Sequence, residues 1–343
     1  MKTVFVGLSG GVDSSVAAAL LKEQGYKVVG VYMKNWSKDL PGFACPWKED
    51  YQDAKRIAVQ LGIEFKMFDF EKEYQEKVVD YMIEEYRAGR TPNPDIMCNQ
   101  EVKFKLFYNT AIEQGADYVA TGHYARSVDG KLLVAKDLNK DQTYFLYRVK
   151  SSVLKKTLFP LGNFTKPQVR IMAQERNLAT ATKKESMGIC FVGKVGIKEF
   201  LQQYVATSPG KIIDQNGKVI GQHDGAIYYT IGQRHGLDVG GGLPYYVIGK
   251  DMGKNIVFVT SKIDDESLWS KTLHLTDLHW INDTPRVGIE YQIRTRYRAP
   301  LVRATFKGNT ANLHLNDPVR AITPGQSVVI YENERVVGGG III

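Results

Sequence analysis

The chain is short of cysteine: Cys45, Cys98 and Cys190 are the only three in 343 residues. So few, and an odd number, do not build a disulfide framework, and no Cys/His spacing completes a zinc site. No run of about 18 apolar residues exists, so nothing in the sequence is suited to span a membrane. The opening MKTVFVGLSGG reads as a buried strand and a turn. It lacks the long apolar stretch and small-residue cleavage site of a signal peptide. Internal repeats and low-complexity tracts are also missing. These absences point to a reducing, cytoplasmic setting with no membrane partner.

What the chain has in excess is positive charge. Its 45 Lys and Arg outnumber 37 Asp and Glu, for a net charge of +8. A basic balance suits a polyanion, because Lys and Arg neutralise phosphates and release counterions. A 43% hydrophobic share with 24% charged residues supplies a core and excludes disorder. At roughly 150 residues per domain the length allows two or three domains.

The first 120 residues alternate between apolar runs and amphipathic stretches. Strands are predicted at Thr3–Leu8, Lys27–Met33, Glu64–Phe70 and Asp117–Thr121. Helices are predicted at Ser14–Gln24, Tyr51–Leu61, Glu71–Tyr86 and Val102–Gln114. Such alternation predicts a doubly wound α/β fold, a parallel sheet covered by helices, with ligands at the carboxyl ends of its strands. Residues 124–149 read as a hairpin turning at Asp129-Gly130. Helices follow near Ser152–Thr157, Pro167–Asn177 and Ile197–Val205, the second capped by Thr165. After Pro209 the runs become short, β-branched and glycine-rich, and from about Leu268 their spacing suits a small antiparallel barrel. The expected domains are residues 1–205, a small β-rich domain at 206–266, and a β-barrel at 267–343.

The strongest motif is Ser9-Gly10-Gly11-Val12-Asp13-Ser14-Ser15, between the first strand and its helix. Its glycines let the backbone approach a polyanion, its hydroxyls add donors, and the helix aims N–H groups at the loop. A Walker A loop needs Gly-Lys where this chain has Val12-Asp13. Asp13 suggests instead Mg2+ bridging pyrophosphate oxygens, with cleavage between the α- and β-phosphates.

Cys98 lies in RTPNPDIMCNQ, where Pro92 and Pro94 stiffen a loop and Asp95 is close enough to share a pocket. A cysteine at a helix start, near Lys103 and Lys105, is expected to hold more thiolate. Cys190 lies in KKESMGICFVG between Gly188 and Gly193. Alone it reads equally as a core residue. Two cysteines in two Gly/Pro-shaped polar loops suit a relay in which one carries sulfur and the other resolves it. Cys45 has no such setting and reads as structural.

The SGGVDSS string resembles the PP-loop of N-type ATP pyrophosphatases. That resemblance implies an adenine-nucleotide hydrolase-like fold and an ATP site formed by Gly7, Leu8, Ser9, Gly10, Gly11, Val12, Asp13 and Ser14, with Met33 and Gly122 at later strand ends. With MKNW, TPNPDIMCN, ATGHYAR, NKDQTYFL, GICFVG, YTIGQRHGL and TPGQ in order, the chain resembles the bacterial tRNA-specific 2-thiouridylase family nearly end to end. The resemblance implies that ATP adenylates the C2 oxygen of a wobble uridine and that a Cys190 persulfide delivers sulfur. Cys98 then releases it and ends in a disulfide with Cys190, with Asp95 as acid–base. It implies tRNA contacts from Asn93, Pro94, Asp95, His123, Lys140, Asp141, Gln142, Arg296, Tyr297 and Gln326. It further implies tRNAs for Lys, Glu and Gln, and a persulfide donor, either a cysteine desulfurase or a relay protein. Lys140-Asp141-Gln142 is expected on an exposed turn. Arg294, Arg296, Arg298 and Arg303 with Tyr297 are expected as one basic, aromatic strip suited to splayed bases. Thr143 stands where the family pattern has Ser.

Two rival readings remain open on the sequence. One is a PP-loop enzyme that adenylates a small molecule, which leaves the cysteine pair and β tail without use. The other is a non-catalytic RNA-binding protein with a relic nucleotide loop.

Overall fold

The structure is a computed structural model that describes residues 1–40, 44–184, 196–237, 239, 240, 242 and 244–343. Numbered along the chain, the first strands are β1 (Thr3–Gly7), β2 (Lys27–Lys34), β3 (Glu64–Asp69), β4 (Tyr118–Ala120), β5 (Arg126–Val128), β6 (Lys131–Leu133) and β7 (Thr157–Leu158). Five of them form one parallel sheet in the order β3-β2-β1-β4-β7. The two-residue periodicity of β1 explains why helices cover both faces. Val4 and Val6 pack with Ala18, Leu21 and Ala54 of the helices Val12–Glu23 and Trp47–Leu61. Phe5 packs the other way, with Tyr74, Val78, Val102 and Phe107. The chain winds outward from β1 to β3 and then returns to β4 on the far side of β1. This reversal opens a crevice at the carboxyl ends of β1 and β4, where such sheets bind ligands.

Four strands follow: β8 (Gly210–Ile213), β9 (Val219–His223), β10 (Tyr246–Asp251) and β11 (Ile256–Thr260). They form a second sheet in the order β10-β11-β8-β9. Its Ile212, Val247, Val257 and Val259 join the same core as Val78 and Met82, so this sheet is fused to the first domain by apolar packing. The chain ends in β12 (Trp269–Trp280), β13 (Glu290–Arg294), β14 (Val302–Phe306), β15 (Asn312–Arg320), β16 (Ser327–Glu332) and β17 (Arg335–Ile342). Pairing of β12 with β17 closes these six into the expected antiparallel barrel. No helix among the described residues is long and apolar enough to cross a membrane.

Several expectations need correction. The 124–149 hairpin is only β5 and β6, and it extends the barrel: Leu132 and Leu133 pair with Val336 and Arg335 of β17. The stretch after the Ser151–Leu154 helix is β7, a two-residue fifth strand of the parallel sheet, too short to leave a periodic signal. The helix expected from Val102 begins at Pro94. Proline is tolerated there because the first-turn N–H has no partner to lose.

The side chain of Lys250 on β10 runs past Gly89, and its ammonium donates to Tyr229 O at 2.8 Å. Burial pushes its pKa down to about 8. The unfolded chain holds that proton more tightly than the folded one. The stability penalty is therefore full below pH 8 and fades as pH rises toward the ordinary lysine value. Lys250→Met is expected to gain about 2 kcal/mol at pH 7 and to lose that advantage near pH 10. Urea midpoints for both chains across this range check the crossover.

Candidate active site

The loop after β1 folds on itself through its serines. Ser9 N donates to Ser14 Oγ (3.1 Å), Ser14 Oγ bonds Gly11 O (3.1 Å), and Ser15 Oγ bonds Gly11 O (2.8 Å). Gly10 turns with φ +73°, leaving the first-turn N–H groups of the Val12–Glu23 helix facing the crevice. Gly122, just past β4, presses directly on this helix start. A Cβ there would lie 2.7 Å from Ser14 N and 2.9 Å from Asp13 C, so only glycine permits the approach. Met33, near the end of β2, lies against Gly7, where a Cβ would meet its Cε at 2.9 Å. The sequence-predicted nucleotide residues Gly7 to Ser14, Met33 and Gly122 thus meet at the switch point.

Sequence reasoning missed Lys166. It is the first residue of the Lys166–Glu175 helix, whose start is fixed by Thr165 N donating to Gln168 Oε1 (2.8 Å) and Lys166 N donating to Asp137 Oδ2 (2.9 Å). Its ammonium grips both oxygens of Asp13, at 2.7 and 2.9 Å, and Tyr124 Oη donates to the same carboxylate at 3.0 Å. The loop therefore has a lysine after all, delivered from a distant helix. Thr165-Lys166-Pro167 was its only local signal, a cap with a cation at the first helical position.

Asn93 caps the helix that carries the cysteine, its Oδ1 accepting from Ile96 N at 3.3 Å, with Pro94 next in line. Asp95 and Cys98 follow on residues 94–113, which widen into a π-helical stretch over Cys98–Phe107. Wide turns of this kind recur at functional sites. Cys98 is buried (3% exposed) and sits one turn inside the helix rather than at its tip. Burial pushes the Asp95 carboxyl above the ordinary carboxylate range, against the opposing pull of Lys103. Asn99 ties the turn together by donating to Asp95 O at 2.9 Å.

His123 connects the two halves. It follows Gly122, its Nδ1 pairs with Thr121 Oγ1 (2.8 Å), and its ring packs on Phe104 of the cysteine helix and on Phe159. Burial, reinforced by Lys103, holds its pKa well below the usual value, so the ring is neutral.

Cys190 lies outside the described residues, so its placement relative to Cys98 is not part of this geometry. The stem that leads to it is firmly anchored. Thr180 Oγ1 bonds Ser15 Oγ (3.0 Å), and Lys183 Nζ bridges Asp50 (2.8 Å) and Asp53 (2.7 Å).

The expected nucleic-acid residues are dispersed. Asp141 is not on an exposed turn: it is 2% exposed and accepts from Ala135 N (2.9 Å) and Thr143 Oγ1 (2.7 Å). Arg294 faces it at 3.7 Å. Burial raises the Asp141 carboxyl despite these partners. Either Thr or Ser at 143 would supply that hydroxyl. Gln142 accepts from Tyr124 N (2.9 Å), and neighbouring Lys140 is half-buried. The basic strip is not one surface. Arg294 turns inward to Asp141, Arg296 Nη2 donates to Ile231 O (3.2 Å) and Ala321 O (2.9 Å), and exposed Arg303 pairs with Glu290 (3.6 Å). Arg294 ends β13, Arg296 and Arg298 lie in the turn that follows it, and Arg303 is on β14, so they do not form one strand face. Tyr297 packs on Phe145 with ring centroids 4.4 Å apart, under exposed Arg298. Gln326 Nε2 donates to Thr91 O at 2.8 Å.

Comparison with known proteins agrees with this architecture. A model described as "tRNA methyl transferase HUP domain" matches residues 2–194, followed by a PRC-barrel domain at 198–261 and an aminomethyltransferase β-barrel domain at 270–342. The tRNA-specific 2-thiouridylase MnmA of Streptococcus sanguinis (strain SK36) is 49% identical, the match covering 99% of this chain and 94% of the relative. Its counterpart in Shouchella clausii (strain KSM-K16) is 50% identical, covering 99% and 96%. A solved 4-thiouridine synthetase–RNA complex with bound ATP aligns over 59% of this chain and 50% of its own. At 20% identity and a TM-score of 0.40 it carries no argument. With half of all positions identical from end to end, the chain belongs to the tRNA-specific 2-thiouridylase family.

Proposed function

We propose that this chain is an ATP-dependent tRNA-uridine 2-sulfurtransferase. The observation that carries the reading is the junction at which Gly122 presses on the phosphate loop and the next residue, His123, packs on Phe104 of the helix holding Asp95 and Cys98. Replacing a carbonyl oxygen by sulfur needs both halves. An amide-like oxygen leaves poorly, and adenylation makes it a good leaving group. The family model's printed name speaks of methyl transfer, but methyl transfer has no use for a pyrophosphate loop or a buried cysteine beside an acid. The relatives named for thiolation match the whole chain.

Gly7 to Ser14 with Met33 and Gly122 would hold ATP, the backbone N–H groups and serine hydroxyls facing its phosphates. Among the described residues no cluster of three or more His, Cys, Asp or Glu is placed to hold a metal. Mg2+ would be held by phosphate oxygens and one or two carboxylates, here Asp13. With Asp13 engaged by a metal, the Lys166 ammonium, now on Asp13, would be available to pair with the phosphates. Asp95, with its raised pKa, holds a proton closer to neutral pH than an ordinary aspartate and is suited to exchange it with the uracil ring. The outer sulfur of a Cys190 persulfide attacks C2, and AMP carries off the oxygen. Cys98 thiolate attacks the inner sulfur, breaking the S–S bond and leaving 2-thiouridine with a Cys98–Cys190 disulfide. Two thiolates thereby supply the two electrons that reduce the transferred sulfur.

We further infer a cytoplasmic enzyme that acts on tRNAs for Lys, Glu and Gln and is fed by a cysteine desulfurase or a persulfide relay. Incubating the chain with such a tRNA, ATP, Mg2+ and a persulfide source (a cysteine desulfurase with free cysteine), then analysing digested nucleosides by mass, tests the reading. The expected product is 2-thiouridine, with pyrophosphate release that requires tRNA. Equal release without tRNA, stimulated by a small acid, would favour a small-molecule adenylating enzyme.

A further inference from the structure

Two donors hold the Asp13 carboxylate among the described residues, and one surface loop holds both of them. Tyr124 Oη donates to Asp13 Oδ1 at 3.0 Å, and Lys166 Nζ lies 2.7 and 2.9 Å from its two oxygens. Gln142 takes both backbone groups of Tyr124: its Oε1 accepts from Tyr124 N and its own N donates to Tyr124 O, each at 2.9 Å. Earlier in the loop Asp137 Oδ2 accepts from Lys166 N at 2.9 Å. Asp137 also closes the turn, its Oδ1 accepting from Asn139 N (3.1 Å) and its O from Lys140 N (3.0 Å). Beneath the turn, Tyr124 and Ala135 share a core with Val12 and Val16 of the phosphate-loop helix. The outer side is different: Lys136, Leu138 (65% exposed) and Asn139 face solvent. Gln142 leads into the turn Thr143–Leu146, where Phe145 packs on Tyr297 under exposed Arg298. Residues 136–142 thus join an exposed basic and aromatic surface to the two groups that occupy Asp13.

We propose that Tyr124 and Asp137 are positioning residues that couple tRNA binding to the nucleotide site. A tRNA bearing on residues 136–142 loosens Tyr124 and Lys166 from Asp13, which frees the carboxylate for Mg2+ and the ammonium for the phosphates. The proposal rests on the reading of tRNA as the substrate. Its physical basis is competition. A carboxylate that accepts from an ammonium and a phenol gives up those bonds before it takes a metal ion. A hydrogen bond to a charged group is worth about tenfold or more in such an equilibrium. The coupling is reciprocal: whatever factor tRNA adds to ATP binding, ATP adds to tRNA binding. The arrangement spares ATP from cleavage by water before the base is in place.

The test uses full-length wild type, Tyr124→Phe and Asp137→Ala, and the Mg2+ complex of α,β-methylene-ATP, which cannot be cleaved between those phosphates. The Kd of this analogue is measured with and without saturating tRNA. Wild type should bind it about tenfold more tightly when tRNA is present. Tyr124→Phe removes one donor to Asp13 and keeps the ring in its core. It should bind the analogue more tightly than wild type without tRNA, and gain no more than about twofold from tRNA. Asp137→Ala, which lets go of Lys166 N, should also gain less than wild type. The tRNA Kd with and without analogue should return the same factor for each protein. A merely structural defect weakens both states alike and leaves the ratio intact. A wild-type ratio near one would overturn the proposal, and so would the full wild-type ratio in Tyr124→Phe. A chain that binds the analogue but no tRNA fails the tRNA reading itself, and the proposal with it.

Discussion

Cys98→Ser is expected to reduce 2-thiouridine formation by at least ~1,000-fold while tRNA-dependent pyrophosphate release continues. The argument is one of electrons. A serine hydroxyl can neither attack the inner sulfur of a persulfide nor end in a disulfide, so the transferred sulfur cannot leave its carrier. In the proposed mechanism the base is activated at the phosphate loop, on a different element, without need of the thiol. Cys98 is buried in the same large apolar core that holds Trp36, Phe70 and Tyr74, so a hydroxyl there costs about 1 kcal/mol as well. Cys98→Ala, which buries no polar group, separates the two effects. Both variants should release pyrophosphate and bind tRNA, and neither should yield thiolated nucleoside by mass. Product at the wild-type level in either variant would remove Cys98 from the chemistry.

Lys166→Met should lower pyrophosphate release about 100-fold, the usual scale for losing a charged group aimed at a developing anion. Stability should fall too, because Asp13 is left partly buried without its cation. The pair is 10% and 34% exposed at its two side chains, so solvent screening limits the loss to about 1–2 kcal/mol. Asp13→Asn combined with Lys166→Met should restore stability without restoring release. The restored stability would trace the folding loss to the unpaired carboxylate; because Asp13 is itself the proposed Mg2+ residue, the role of the ammonium in release is read from Lys166→Met alone. Full release by the single Lys166→Met variant would leave only the structural role.

The candidate nucleotide site was legible because its parts are local in sequence. A strand, two glycines, serines and a helix start within a few residues, and chain order alone carries β4 next to β1. The sulfur site was half legible. Pro92 and Pro94 announced a rigid segment before Cys98, yet Pro94 opens the helix instead of delaying it, which moves the cysteine one turn inward. Lys166 was invisible because its partner Asp13 is 153 positions away, and an ion pair leaves no trace in periodicity. Asp141 misled for the related reason that a charged triplet looks solvated until a distant strand supplies Arg294. The family resemblance implied tRNA contacts for Gln326 and Arg296. Their hydrogen bonds to Thr91 and Ile231 are interdomain facts that no single segment encodes.

The β5–β6 hairpin borrows its outer neighbour from the far end of the polypeptide. Leu132 pairs with Val336, and 336−132=204 residues must be synthesised between them. At about 5–20 residues per second a nascent chain needs roughly 10–40 s to cover that gap. Throughout that wait, β6 presents an open edge to whatever strand is nearby. The loop ahead of Cys98 likewise stays unbraced until Pro324 and Gln326, its bonding partners at Thr91, have left the ribosome. Translation thus imposes a sequence of events: the phosphate loop can close early, but the thiol gains its final seat only when the last strands arrive. Ribosome-bound fragments ending near residue 266 should accordingly attract chaperones at the hairpin while the parallel sheet is already formed.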